Sequence, residues 1–335
     1  MGERRMLKVL TALAVIIGGT SVVSAQDLKL GHYFATEDFR GKTAQYFADQ
    51  LQEIDEDITV NVFPNESLVK GREALQATSQ GVVDIYSVYA GYLSGQVPLI
   101  NVFSLPFPPE SYDDAAMYEM ALDPEVVSIL DKTFAQFGVK YLGVINSSGP
   151  AQLFLSSPVE SVSGISGLKL RGAGGLSDEA LRELGASVVL LSAAEQFLAL
   201  QTGTVDGIST TWSSYINYGL ADVAPTYLAA TVVRAPYLLL MNAAKYDSLS
   251  DEQKQSVDEA VRRTVEWSRE NFEEEQSSLL EKVKTQAETV VEVSAEEQAS
   301  LREQMQPIYK SYTDDNGEDA QKLMDIWQKV TNSEK

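Results

Sequence analysis

The sequence contains no cysteine and only one histidine among its 335 residues. Disulfide bonds and thiolate centres for zinc or iron–sulfur clusters are therefore excluded. Any Ser/His/Asp arrangement would have to use His32, and a lone histidine near a strand end is more often structural than catalytic. No GxSxG, HExxH or GxxxxGK[ST] motif occurs,. We expect no catalytic residue, no metal and no cofactor.

Basic residues are scarce: 26 Lys and Arg stand against 48 Asp and Glu, which gives a net charge of −22. Such a surface repels nucleic acid and anionic lipid, so we expect neither as a partner. An anionic ligand would need a local positive site.

No long apolar run follows residue 25, so no later segment is expected to span a membrane,. Residues 1–25 combine a basic start (Arg4, Arg5), the apolar run VLTALAVIIGG and a small final residue, Ala25. This pattern predicts a secretory signal peptide cleaved between Ala25 and Gln26. A membrane anchor is the weaker alternative, because the run is shorter than the roughly 20 residues of a spanning helix. Export without disulfides favours the bacterial periplasm.

The remaining chain alternates helices and strands, which predicts α/β architecture with mostly parallel pairing. Its length favours two domains. Strands are predicted at 27–32, 58–64, 82–88, 140–146, 152–157 and 230–242, and helices at 36–54, 71–81 and 251–287. We expect an N-terminal lobe at 26–150 (completed by part of 235–290), a second lobe at 151–234, and helices across both lobes at 250–335.

The predicted helix from Asp251 is unusually long for a globular domain and is expected to span two domains. A coiled coil is the alternative, but the apolar heptad pattern is not sustained. Ser250 with Gln253, and Ser294 with Glu297, match capping boxes,.

Two segments share one plan: ATSQGVVD (77–84) and ALQTGTVD (199–206). Each predicts a helix that ends at a left-handed glycine, Gly81 or Gly203, followed by a strand that carries an aspartate at its end. Because ligands of open α/β sheets bind beyond the carboxyl ends of strands, residues 84–89 and 206–215 are expected near a common site.

The stretch LKLRGAGG (168–175) precedes a predicted helix, in the order of a phosphate-binding loop,. A GxGxxG fingerprint would need a glycine at Ser177, and the strand ends in a cation, Arg171. A guanidinium at that point is able to hold a carboxylate through two parallel hydrogen bonds. The alternative is a surface or salt-bridged arginine.

The segments GISGLKLRGAGG and LGASVVLLSAAEQFLALQTGTVDG resemble the solute-binding proteins of TRAP (tripartite ATP-independent periplasmic) transporters. GREALQATSQGVVDI, FSLPF, the signal peptide and the long helix also fit, so the resemblance covers essentially the whole mature chain. It implies a periplasmic binding protein-like fold, with two α/β lobes that close on a small organic acid. It also implies TRAP membrane permease subunits as partners, and binding of the ligand carboxylate by Arg171.

The chain departs from the family pattern at two positions. Thr210 stands where many members have a ligand-binding asparagine, and Gln152 where many sugar-acid binders carry a second arginine. A single anion clamp favours a monoanion over a dicarboxylate and leaves hydroxy, oxo or aromatic acids and sulfonates open. The predicted ligand-binding residues are Arg171, Gln152, Thr210, Trp212, Tyr215, Tyr89, Tyr86 and His32.

Two other functions fit less well: a binding protein of an ATP-driven (ABC) importer, and a periplasmic lyase or isomerase that acts on organic acids. The enzyme lacks a histidine network for acid–base chemistry. A monomer is the default expectation.

Overall fold

A computed structural model describes residues 25–332. Within this range the strands form one mixed sheet in the order β2-β1-β3-β8-β4-β7-β5-β6, with β9 beside β8. The strands are β1 (Gln26–Gly31), β2 (Ile58–Phe63), β3 (Ile85–Tyr89), β4 (Val139–Leu155), β5 (Lys169–Gly172), β6 (Ser187–Leu190), β7 (Gly207–Thr211), β8 (Thr226–Asn242) and β9 (Thr289–Val291).

Helices cover the sheet, and none in the described range is long and apolar enough to cross a membrane. They are α1 (Phe39–Ile54), α2 (Ala74–Ser79), α3 (Asp114–Ala121), α4 (Pro124–Ala135), α5 (Leu176–Glu183), α6 (Gln196–Gln201), α7 (Trp212–Asn217), α8 (Ala243–Asp247), α9 (Asp251–Gln286), α10 (Ala295–Gln304) and α11 (Gln306–Asn332).

Two 17-residue strands, β4 and β8, pair antiparallel and run through the whole molecule. The strands β2, β1 and β3 continue the sheet from residues 237–241 of β8, and we call this part the first half. The strands β7, β5 and β6 continue it from residues 151–155 of β4, and we call this part the second half. The α/β architecture expected from the sequence is confirmed, whereas the lobe boundaries stay a prediction.

The two strands predicted at 140–146 and 152–157 are one strand, so that prediction was wrong. Gly149 and Pro150, which indicate a turn in sequence, lie inside β4 where its pairing with β8 shifts register between Ser147 and Pro150. Gly149 has φ +72°, which allows the chain to bend there without leaving the sheet,.

Four other predicted elements also differ in their boundaries. The helix predicted at 71–81 is a short 3₁₀ turn, Gly71–Glu73, followed by α2, which ends at Ser79. The next strand starts at Ile85 and not at 82, and β8 starts at Thr226 and not at 230. The helix predicted from 36 starts at Phe39, because the Asp38 side chain accepts a hydrogen bond from the Arg40 N–H and caps the helix,.

The long helix is confirmed. At 36 residues α9 is about 54 Å long,. It begins with the predicted capping box of Ser250 and Gln253. It packs on α1 in the first half and on α7 in the second, and so connects both. At α10 only the Ser294 side chain caps the helix, by accepting from the Glu297 N–H.

The repeated segments have equivalent structures. Gly81 and Gly203 have φ of +71° and +67°, as predicted. The two aspartates, however, lie at the starts of β3 and β7 and not at their ends. The Asp84 carboxylate accepts from the Lys29 backbone N–H and that of Asp206 from the Lys169 N–H, both at 2.8 Å. These carboxylates therefore join neighbouring parallel strands, and the opposite ends of β3 and β7 face the candidate site.

Candidate ligand-binding site

A small cavity of about 30 Å³ lies at the carboxyl ends of β3, β5 and β7, between the two halves. Since one water molecule needs roughly 10–15 Å³ of such volume, the cavity has room for about two water molecules. It is lined by Tyr33, Tyr89, Tyr92, Ala151, Arg171, Ala173, Ser177, Ala193, Ser209, Thr210, Thr211, Ser214, Val233, Ala235 and Tyr237. The halves are therefore closed on each other around a partly polar, partly aromatic space.

Arg171, near the end of β5, is 3% exposed and lines this cavity. Its Nε donates to the carbonyl of Leu191 and its Nη1 to that of Ser209, both at 2.9 Å. No carboxylate pairs with it between residues 25 and 332. A guanidinium has five N–H groups, so three remain beyond these two bonds. Two backbone carbonyls thus hold the guanidinium in place, and the Asp178 carboxylate acts on it only from beyond ion-pair distance.

The glycines after Arg171 form a tight turn and not a phosphate loop. The Gly174 N–H donates to the Asp178 carboxylate of α5 at 3.0 Å, so an acidic side chain occupies the position a phosphate would take,. Gly174 has φ +107°, and a Cβ there would lie 2.7 Å from the carbonyl oxygen of Gly91 in the first half. The glycine allows the two halves to approach closely.

Four tyrosines from the first half face Arg171. We call Tyr33, Tyr89, Tyr92 and Tyr237 the tyrosine wall. Adjacent ring centroids lie 5.5 to 6.5 Å apart, within the range of favourable aromatic packing,. Burial raises the pKa of Tyr89 far above its usual value, so this phenol stays neutral at physiological pH.

Across from the wall, the second half contributes hydroxyl groups from β7 and α7. Among the described residues, the side-chain hydroxyls of Ser209 and Thr210 have no hydrogen bond. The Thr211 hydroxyl, in contrast, caps α7 through the Ser214 N–H. Both residues line the cavity, although as neighbours on a strand their side chains point to opposite faces,.

A buried ion pair lies directly behind the cavity. The Arg40 Nη2 is 2.5 Å from Asp38 Oδ2, and both side chains are at most 3% exposed. Arg40 Nη1 donates to the hydroxyls of Tyr237 at 2.9 Å and of Ser214 at 3.2 Å. Asp38 accepts from Asn217 at 2.6 Å. The pair therefore holds a first-half tyrosine and a second-half helix together.

Of the eight predicted residues, the structure brings Arg171, Thr210 and Tyr89 together at the cavity, and the other five lie outside its lining. Gln152 is turned away: its Oε1 accepts from Trp212 Nε1 at 2.7 Å and from the Tyr227 hydroxyl at 2.5 Å. Its neighbour Ala151 lines the cavity in its place.

Trp212 is thereby directed away from the cavity, and it lines a separate groove along α9. Tyr215 stacks on Phe154 in the core of the second half, with its hydroxyl on the Ala224 carbonyl. Tyr86 is fully buried, and its hydroxyl donates to the carbonyl of Val69.

His32 is also buried outside the cavity. Its Nδ1 accepts from the Phe34 N–H at 3.2 Å. Burial lowers its pKa to about 4 in spite of the nearby Asp38, so the imidazole is neutral at physiological pH. Its position is that of a structural residue, packed on the ring of Phe34.

Sequence reasoning missed Tyr33, Tyr92 and Tyr237, and the pair of Asp38 and Arg40. One signal was present: Tyr33 follows the first strand directly, at the end where ligands bind,. Tyr237 lies in the middle of an apolar strand and gave no such signal. No group of three or more His, Asp or Glu side chains in the described range is arranged to hold a metal ion.

The fold and this cavity are those of a protein whose two halves enclose a small site with a buried cation. The model of the family "Bacterial extracellular solute-binding protein, family 7" matches residues 30–315, and the chain belongs to this family. The TRAP-type interpretation is therefore supported over an ATP-driven importer or an enzyme.

Individual relatives agree. A solute-binding protein of Chromohalobacter salexigens is 28% identical over 70% of this chain and 69% of its own length. The C4-dicarboxylate-binding periplasmic protein DctP of Rhodobacter capsulatus is 24% identical over 80% and 81%. A crystal structure of a TRAP periplasmic solute-binding protein from Xanthobacter autotrophicus, with bound β-D-galacturonate, has a TM-score of 0.81 at 24% identity and covers 92% of this chain and all of that one.

Proposed function

We propose that this protein captures a small organic acid outside the cytoplasm and delivers it to TRAP membrane permease subunits, with Arg171 holding the ligand carboxylate. Family membership supports the transport role. The relative from Rhodobacter capsulatus is a C4-dicarboxylate-binding protein, and the crystal structure from Xanthobacter autotrophicus contains bound galacturonate. Both ligands carry carboxylates.

The observation that carries the proposal is the unpaired charge of Arg171. Asp178 acts on Arg171 only from beyond ion-pair distance. A buried cation without a carboxylate in direct contact is costly, and a ligand carboxylate that binds through two hydrogen bonds would compensate it. The net charge of −22 gives this point special weight, because the protein as a whole repels anions,.

Titration calorimetry on Arg171→Met tests the proposal. The probe is whichever acid stabilises the wild type in a thermal-shift screen of carboxylates, since bound ligand raises the unfolding temperature. We expect at least a ~100-fold loss of affinity, the lower range for a buried charged hydrogen-bonded pair. Arg262→Met, on the exposed face of α9, is the matched control and should leave affinity unchanged. Unchanged affinity in Arg171→Met would disprove the assignment.

Export with cleavage after Ala25 is part of the proposal. Residues 1–24 lie outside the described range, but Gln26 is the first residue of β1 and pairs with Ile58. Cleavage at this bond would leave the strand complete. Intact-mass measurement of protein from the periplasmic fraction should give a chain that starts at Gln26, and a retained leader would contradict it.

We also propose a monomer, which light scattering after gel filtration would check.

A further inference from the structure

The two walls of the cavity differ in chemistry. The second-half wall contains the charge of Arg171 and the hydroxyl-bearing residues Ser209, Thr210 and Thr211. The first-half wall is the tyrosine wall, and the floor between them is made of small apolar side chains, including Ala151 and Val233. A ligand enclosed here meets a cation and hydroxyls on one side and aromatic rings on the other.

A second carboxylate would have no partner. Arg40 is committed to Asp38 and lies behind Tyr237. Arg72 lies on the outer side of Tyr92, with its guanidinium carbon 4.7 Å from the ring centroid and its Nη2 directed at the Ala173 carbonyl. Neither of these arginines lines the cavity. Because burial of an unpaired carboxylate is strongly unfavourable, dicarboxylates are disfavoured.

A sugar acid would also be poorly satisfied. Among the described residues, no Asp, Glu, Asn or Gln side chain lines the cavity. Carboxylates and amides can accept or exchange two hydrogen bonds at once, which suits adjacent sugar hydroxyls. A ring carrying several hydroxyls would meet single hydroxyl groups on the second-half wall but tyrosine rings and small apolar side chains elsewhere, with part of its polar surface unpaired,.

The tyrosine wall suits a flat apolar body. Its rings form a continuous surface: Tyr33 and Tyr92 are stacked at 5.5 Å, Tyr89 meets Tyr92 edge-on at 5.7 Å, and Tyr89 lies 5.8 Å from Tyr237. Ring-to-ring packing is favourable beyond the area it buries. A further aromatic ring could pack on this surface while its carboxylate reaches Arg171.

We propose that the ligand is an aromatic monocarboxylate, with its carboxylate on Arg171 and its ring on the tyrosine wall. This inference rests on the proposed function and narrows its ligand class. A cavity that holds benzene measures about 150 Å³, so a ligand ring requires the two walls to part further than the 30 Å³ cavity allows,. Because the walls belong to different ends of the sheet, a hinge movement between the halves would give the ring that room,.

Calorimetry on the mature chain with benzoate, D-galacturonate and L-malate tests this class. We expect benzoate to bind at least ~10-fold more tightly than the other two acids, and Arg171→Met to abolish its binding. Tighter binding of galacturonate or malate, or no binding of benzoate, would overturn the aromatic class. If one of those two acids binds in an Arg171-dependent way, the proposed function still stands. Binding that survives Arg171→Met would refute the proposed function itself.

Variants of Tyr89 separate ring contact from hydrogen bonding. Tyr89→Phe should retain benzoate affinity, whereas Tyr89→Leu should weaken it ~3- to 10-fold through loss of ring packing. Tyr86→Phe, fully buried away from the cavity, is the control and should leave affinity unchanged. Equal affinity in Tyr89→Phe and Tyr89→Leu would contradict a stacked ligand ring.

Discussion

Replacing Arg40 with methionine removes a buried charge that contacts both halves of the protein. In the first half its guanidinium bonds Asp38 and the Tyr237 hydroxyl, and in the second half it bonds the Ser214 hydroxyl. Methionine keeps an unbranched chain of similar length but offers no donor. The substitution therefore leaves the Asp38 carboxylate buried without its cation.

The cost follows from what Asp38 retains. Loss of one partner of a buried ion pair typically costs roughly 3–5 kcal/mol. Here Asp38 keeps the backbone N–H of residue 40 at 2.9 Å, the Ser213 hydroxyl at 3.1 Å and the Asn217 amide at 2.6 Å. Because these three donors remain, we expect a loss at the lower end of this range, roughly 3 kcal/mol of unfolding free energy.

The loss should depend on pH. Burial is the largest single influence and would raise the pKa of Asp38, but the Arg40 charge and the hydrogen bonds from Arg40 and Asn217 together lower it. A lowered carboxyl pKa contributes stability that is present above the unfolded value, near pH 4, and is lost as pH falls through the folded value. In Arg40→Met burial would prevail and raise the Asp38 pKa. The gap between wild type and variant should therefore be largest at neutral pH and shrink as the solution is acidified.

Urea denaturation at pH 7 and near pH 4.5 measures both effects, in a double-mutant cycle with Asp38→Asn. The double variant should lose less stability than the two single variants lose together. Each single variant leaves one buried charge without its partner, whereas the double variant has neither charge. Arg262→Met, at an exposed pair on α9, is the control and should change stability by less than about 0.5 kcal/mol,. Additive single effects, or a pH-independent gap, would refute the reasoning.

Two further substitutions test other parts of the structure. Gly174→Ala should destabilise the protein more than Gly219→Ala does. Gly219 also has a positive φ but has free space around it, so its substitution should cost roughly 1–2 kcal/mol,. Equal losses in chemical denaturation would contradict the close approach of Gly174 to Gly91. Burial lowers the pKa of His32 to about 4. Its neutral form therefore stabilises the fold fully above about pH 6.5, the usual pKa, and about 3 kcal/mol of stability is lost as the pH falls toward 4. His32→Leu should flatten that part of the stability curve, and an unchanged slope would disprove the assignment.

The sequence predicted the α/β order, the long helix and the position of Arg171, because local patterns specify these features. It did not specify which face of β4 meets the cavity. That face depends on the register shifts against β8, and they arise from pairing with a strand far along the chain. As a result Ala151 lines the cavity and Gln152 does not. A one-residue difference in register reverses every side chain on a strand.

The tyrosine wall was beyond sequence reasoning for a related reason. Tyr33, Tyr89 and Tyr92 follow or end β1 and β3, whereas Tyr237 comes from β8, and only the completed sheet brings them together. A buried tyrosine in an apolar strand also looks like an ordinary core residue. Its role near the cavity becomes visible only when the opposite wall, with Arg171, is in place.

The ion pair of Asp38 and Arg40 also bears on ligand affinity, although neither residue lines the cavity. Its bonds to Ser213, Ser214 and Asn217 exist only while the halves are together, so the pair favours the closed form. A ligand held by both walls also needs the halves together, parted only as far as its own ring requires, and its apparent affinity falls with the fraction of protein that can adopt that form. Arg40→Met should therefore weaken all acids that bind by the same factor, since it changes closure and not contact. Calorimetry across several acids would show this uniform factor, whereas a loss confined to one ligand would mean that Arg40 touches it directly.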